Sequence, residues 1–196
     1  MENINKIYIH PTAEVSSNTK IGNDTKLWHN VQTLGEVEIG NNCSLGKGTF
    51  IGDGTKIGNT VKIGIYVNIF GCIIEVFAFI GPMVCMLEDK SPRSANPDGS
   101  RKTIEDWVKT PSIIKKGASV GASVTILPNL IIGEYAMISA GSVLYKSFPP
   151  HAFVIGNPAR QIGYACHCGK RLDNDYLCSN CGNQYELSKE KLVKRK

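Results

Sequence analysis

Four cysteines near the end of the chain carry the most readable chemistry. The stretch "CHCGKRLDNDYLCSNCG" sets Cys166 and Cys168 one residue apart, and Cys178 and Cys181 two residues apart after nine intervening positions. The second pair, followed by Gly182, is a knuckle whose turn aims two thiolates at one point, and four thiolates suit tetrahedral Zn2+. So short a segment cannot bury enough apolar surface to fold unaided. The expected role of the zinc is therefore structural, with a redox role as the alternative reading. His167, between the first two cysteines, is expected to point away from the metal. Cys43, Cys72 and Cys85 are dispersed and read as small core hydrophobes.

A second concentration of reactive side chains is "MLEDKSPRSANPDGSRKTIEDWVKTPS", residues 86–112, where charges of both signs alternate with turn formers. Within it, "NPDG" predicts a turn through Asn96 and Asp98. The histidines lie elsewhere. His10 precedes Pro11 and is expected to be structural, and His151 in "PPHAF" reads as a turn residue. His29 follows Trp28 and sets an aromatic pair at what should be a corner.

The elements that must hold these groups are short and regular. Steps of six from Ile9 reach Val15, Ile21 and Leu27, falter at Thr33, and resume from Ile39 through Leu45, Ile51, Ile57 and Ile63 to Ile69. The register then slips by one residue to Ile74, Ile80 and Met86, and after residues 87–112 it returns as Ile114, Val120, Ile126, Ile132, Ile138 and Leu144. A period of six fits neither an amphipathic helix nor an alternating strand. It fits a solenoid in which each hexad gives one short strand and one turn, three sides close a coil, and stacked coils bury an aliphatic ladder. Residues 87–112 are then a loop thrown out from the side, and such interruptions often form a binding face.

A chain of 196 residues allows one such domain and a small appendage. Its net charge of +5 is modest, and the closing "KEKLVKRK" reads as a solvated end, so nucleic-acid binding is not expected. The most apolar run, Asn68 to Leu87, is interrupted by Glu75, Gly81 and Pro82 and reads as part of the fold rather than a membrane span. No secretion signal is readable, so a cytoplasmic, reducing address is expected, where seven cysteines argue against a disulfide framework.

The "[IV]-G-x-x-x-x" hexads and the ending "VIGNPARQIG" resemble the hexapeptide-repeat acyltransferases over residues 7 to about 160. That resemblance implies an all-β fold, a left-handed parallel β-helix over 1–163 with an inserted loop at 87–112. A zinc-ribbon-like module at 164–187 and a basic tail at 188–196 follow. It also implies a homotrimer that binds acetyl-CoA in the cleft between neighbouring solenoids. "IHPTAEVS", "KLWHNVQ" and "SPRSANPDGSRKTIEDW" followed by "TPSIIKKGASVGA" are similar, more narrowly, to N-acetyltransferases of UDP-2-acetamido-3-amino-2,3-dideoxy-glucuronic acid, which serve surface-glycan biosynthesis.

Acyl transfer from a thioester to a sugar amine needs an uncharged amine and a fixed donor for the developing oxyanion. The resemblance places Asp89 to hold or deprotonate that amine. The subgroup usually reads Thr-Asn-Asp where this chain has Leu87, Glu88 and Asp89, so Glu88 is either a second base or charge partner, or a sign of a different amino sugar or of a weakened enzyme. Arg93 is expected to pair with a uronate or phosphate, and His29 and Asn96 are further substrate-contact candidates. For acetyl-CoA, Ala122, Ser139, Ala140 and Gly141 offer a small-residue track for the pantetheine arm, with Lys146 and Arg160 for the phosphates. Two other readings stand beside this one. A zinc hydratase on the same solenoid would need histidines converging from adjacent coils, which the sequence does not offer. A non-catalytic scaffold would use the zinc module as its contact surface, a reading kept open by the Glu88 departure and the apolar "GIYVNIFGCIIEVFAF".

Overall fold

The computed structural model describes residues 6–107, 109–188 and 191–195. Positions 1–5 of the expected helix domain and 189, 190 and 196 of the expected tail lie outside them. Almost every hexad forms a two-residue strand whose first residue faces out and whose second faces in, as in Lys26–Leu27, Ser44–Leu45 and Lys62–Ile63. Equivalent strands of successive coils pair in parallel, so Lys26 stands beside Ser44 and Ser44 beside Lys62. The result is a three-sided parallel β-helix with faces of nine, six and six strands.

The inward ladder is continuous from Leu27 through Leu45, Ile63, Ile80 and Val120 to Ile138, all buried. Each such aliphatic residue contributes about 1.5–3 kcal/mol relative to exposure. Ile9 holds the corresponding position beside Leu27 yet is 44% exposed, since it stands at the end of the ladder. Thr33, the faltering step, does point inward, and its hydroxyl is matched by the Ser16 N–H and the Thr19 hydroxyl. A second buried ladder, which the six-step reading overlooks, runs two residues earlier in each hexad through Val31, Val37, Cys43, Val61, Val67, Cys72 and Val84. Cys43 and Cys72 are thus core residues, and burial pushes the Cys72 thiol up to about 12. Cys85 corrects the expectation for its type: it occupies the outward position of Cys85–Met86 and is only half-buried.

The slip in register lies between Asn68–Ile69 and Ile73–Ile74, after which Lys62 pairs with Phe79. The apolar run thus sits within the coils as expected, and among the described residues no helix is long and apolar enough to cross a membrane. The long interruption leaves from Cys85–Met86 on the second face and returns at Ile113–Ile114 on the third. The strands on either side of it pair directly, Cys85 with Thr125 and Ile73 with Ile113, so the two repeat blocks form one solenoid.

The final strand of the first face, Ala152–Ile155, turns back antiparallel onto Arg160–Tyr164. There follows a small module whose core is Cys166, Leu172, Cys178 and Tyr185, with Tyr164, Tyr176 and Leu192 against it. The tail is not simply a solvated end: Lys191–Lys194 pairs antiparallel with Tyr185–Ser188.

Candidate functional site

The loop holds its shape through local polar contacts. Asp89 Oδ1 accepts the Ser91 N–H at 2.7 Å. Asp98 accepts both the backbone N–H and the hydroxyl of Ser100, while the Asn96 side chain donates to that hydroxyl, giving the expected turn. Asp106 caps a single 3-10 turn, Ile104–Asp106, by accepting from Thr103. Between the two arms opens a cleft of about 320 Å³ lined by Asp89, Lys90, Ser91, Lys102, Asp106, Trp107 and Thr110. Asp89 is half-buried there, and Trp107 is 48% exposed. Arg93 and Glu88 are absent from this lining, and the Arg93 guanidinium donates to the Pro92 carbonyl.

The loop's base is pinned from below. Lys109 Nζ donates to Asp53 Oδ2 at 2.9 Å, and Asp53 Oδ1 accepts the Glu36 N–H. These bonds hold the Asp53 carboxyl below its ordinary value, and the Asp53 partner, with the Glu88 charge adding to it, raises the Lys109 ammonium. Glu88 stands over Gly71, where an added Cβ would come within 3.2 Å of its Oε2, and its carbonyl accepts from the Thr110 hydroxyl. The structure therefore separates the two adjacent carboxylates, Asp89 into the cleft and Glu88 into the base. Lys90, Lys102, Trp107 and the Asp53–Lys109 pair escaped the sequence reading; an aromatic inside so charged a loop was the available signal for Trp107.

Of the other candidates, Lys146 follows Val143–Leu144 on the loop's own edge, whereas His29, Ala122, Ser139, Ala140 and Gly141 lie on the opposite edge of the second face. Successive turns there stack His29, Lys47, Ile65, Pro82, Ala122 and Ala140, each linked to the next coil by a backbone bond, as from Gly141 N–H to the Ala122 carbonyl. Ala122 and Ala140 are thus neighbours, with Ser139 and Gly141 beside them. A Cβ on Gly121 would meet the Ala140 nitrogen at 2.5 Å, which is why that position is glycine. His29 is far down this edge, stacked on His10 at 3.5 Å, and His10 is lowered by desolvation and by the His29 charge. Lys146 and Arg160 meet around the Tyr145 ring, with the Arg160 guanidinium donating to the Tyr145 hydroxyl. Within one chain the loop and the small-residue track remain on opposite edges of one face.

At the far end, one ligand atom from each of Cys166, Cys168, Cys178 and Cys181 lies within 4.8 Å of the others, a spacing compatible with a tetrahedral four-sulfur metal site. Despite burial that opposes it, hydrogen bonds led by that from Tyr185 bring the Cys166 thiol down to about 6. His167 stays outside the cluster: its Nδ1 pairs with the Tyr185 hydroxyl, and its ring packs on Tyr135 and His151. His151 is a turn residue, as expected, with φ of +61°, but it is also buried, and its Nδ1 meets the Ala165 carbonyl. Among the described residues this is the one His/Cys/Asp/Glu group with such a spacing. The histidines form one pair at each end of the solenoid, His10 with His29 and His151 with His167.

Residues 18–53 match the family model "Bacterial transferase hexapeptide (six repeats)". The coil is built of hexapeptide repeats. Over 80 residues, 39% of this chain and 41% of the relative, the sequence is 48% identical to the dTDP-3-amino-3,6-dideoxy-alpha-D-galactopyranose 3-N-acetyltransferase of Aneurinibacillus thermoaerophilus. It is 40% identical to serine acetyltransferase 4 of Arabidopsis thaliana over 94 residues, 48% of this chain and 24% of that protein. The matched stretch thus spans less than half the length of either relative. A crystal structure of a candidate acetyltransferase from Bacillus cereus superposes with a TM-score of 0.53 at 24% identity, covering 82% of this chain and 84% of that one, and it shares the fold.

Proposed function

We propose that this chain is an acetyl-CoA-dependent N-acetyltransferase whose acceptor is the amine of a nucleotide-linked amino sugar. The observation that carries the reading is the loop cleft, whose lining combines Asp89 with Lys90, Lys102 and Trp107. An acceptor of this class bears an amine, a diphosphate and a flat base, and the cleft offers a carboxylate, two ammonium groups and an indole. The relative from Aneurinibacillus thermoaerophilus, whose name gives such an acceptor, supports the same class.

In the reaction, Asp89 holds the ammonium and accepts its proton, and the freed nitrogen attacks the thioester carbonyl. The tetrahedral adduct collapses with cleavage of the C–S bond; the nitrogen's second proton passes to the leaving thiolate, giving the neutral amide and coenzyme A. The track from Ala122 to Ser139, Ala140 and Gly141 receives the pantetheine arm, with Lys146 and Arg160 on the phosphates. Because track and loop occupy opposite edges of one face, a complete site takes its loop from one copy and its track from another, which supports a homotrimer of left-handed helices. Copies meeting along these edges would also cover Ile65, Tyr66 and Met83, which are exposed in a single chain.

Among acceptors, a UDP-2-acetamido-3-amino-2,3-dideoxy-glucuronate is our first choice, in surface-glycan biosynthesis in the cytoplasm, and Arg93, Asn96 and His29 are further contacts to be tested. Glu88 sits in the loop base, so its difference from the subgroup alters the support of the loop rather than the amine site. The four cysteines hold a structural Zn2+ that supplies the cross-link the small module lacks. Purified protein given acetyl-CoA and a panel of UDP- and dTDP-linked 3-amino sugars should release free thiol with at least one of them. Coenzyme A binding without turnover on any member would favour the scaffold reading instead.

A further inference from the structure

Beside the four-cysteine cluster lies a tyrosine with more to do than fill space. Tyr185 is fully buried, at 1% exposure, yet its hydroxyl lies 3.2 Å from Cys166 Sγ, 3.1 Å from the His167 nitrogen and 3.0 Å from His167 Nδ1. The backbone nitrogen can only donate. A metal-bearing thiolate can only accept, so the single hydroxyl proton goes to sulfur. That leaves the His167 ring to donate from Nδ1–H, which fixes its tautomer. His167 packs in turn on Tyr135, with ring centroids 4.0 Å apart, and on His151 at 4.8 Å, both belonging to the last coils of the solenoid. His151 closes the circuit through Ala165, immediately before Cys166.

We propose that Tyr185 is the positioning residue of the metal site: its hydroxyl donates to the Cys166 thiolate and ties the metal shell, through His167, to the end of the solenoid. The inference rests on the zinc reading above and adds to it an outer hydrogen bond of the kind that orients a ligand and tunes its hold on metal. A donor to the thiolate lowers the energy of the sulfur lone pair, so its removal moves thiolate-to-metal charge transfer to lower energy. Packing alone would not do this.

Two readouts on the purified full-length chain test it: Zn2+ affinity by chelator competition, and the thiolate-to-Co2+ absorption band of the cobalt-loaded protein. Tyr185→Phe keeps the ring and removes the hydroxyl. Leu172→Ala is the comparison, since it loosens the same small core without removing a hydrogen bond to sulfur. Tyr185→Phe is expected to bind Zn2+ roughly 10–100-fold more weakly and to shift the Co2+ band to lower energy; Leu172→Ala should leave the band in place. Wild-type affinity and an unshifted band in Tyr185→Phe would overturn the hydroxyl's role while leaving the metal site standing. A wild-type chain that takes up neither Zn2+ nor Co2+ would overturn both.

Discussion

Asp89 and Glu88 are adjacent in sequence and have different work to do. Asp89 lines the cleft, whereas Glu88 stands over Gly71 in the base, near Lys109. Asp89→Asn keeps the shape and the acceptor of the Ser91 N–H but cannot take a proton. Its kcat for thiol release should fall by roughly 10²–10⁴, the range a positioned base supplies. Glu88→Gln should act mainly on acceptor KM, because it changes the loop's support rather than the proton path; a kcat loss equal to that of Asp89→Asn would contradict this placement. The Asp53–Lys109 pair predicts a pH dependence. Asp53 is depressed, so its contribution is present above its unfolded value near 4 and is lost as pH falls through the folded one. Lys109 is raised, so its contribution is complete below about 10.5 and is lost as pH rises through its folded value. Loop protection factors from hydrogen exchange should therefore be flat across neutral pH and drop in strong acid, and Asp53→Asn should show the acid-like value already at pH 7.

The hexads make the strands legible in the sequence, because an inward aliphatic every six residues has one geometric meaning once three such sides close. The one-residue slip at Ile74 and the span 87–112 were legible for the same reason, as departures from a strict rhythm. The second buried ladder was not, since Thr49, Thr55, Cys43 and Ala78 are not aliphatic enough to announce it; the threonines are buried by returning their hydroxyls to backbone carbonyls, as Thr49 does to Gly64 at 3.0 Å. Nor could the pin from Lys109 to Asp53 be read, as it joins residues three coils' worth of chain apart. The cluster of four cysteines could be read because paired thiols leave a local spacing in the sequence, whereas Tyr185, their neighbour in space, leaves none. Close stacking at the corners makes Gly121 a test of the element. Gly121→Ala would drive a Cβ to 2.5 Å from the Ala140 nitrogen, a backbone atom that cannot yield cheaply. It should cost about 1–3 kcal/mol, read as a lowered thermal midpoint, and should weaken coenzyme A binding by displacing Ala140 from the track.

For the whole molecule, the decisive fact is the placement of the loop and the track on opposite edges of one face. The loop leaves after Cys85–Met86 on the second face, while Ser139, Ala140 and Gly141 lie between Met137–Ile138 on the first and Val143–Leu144 on the second. If the working site takes its loop from one copy and its track from the next, damage to the two parts can be separated between chains. Asp89→Asn disables the loop; Ala140→Trp obstructs the track at an exposed position where a large side chain does not enter the core. Each variant alone should be inactive. Unfolded together in equal amounts and reassembled, they place intact loop against intact track in about a quarter of the sites of a randomly mixed cyclic trimer, so about a quarter of the wild-type rate should return. A site contained within one chain would return nothing, because every chain in the mixture carries a lesion. Mixing intact oligomers without dissociation supplies the control, and the recovered activity should then stay at the level of the separate variants.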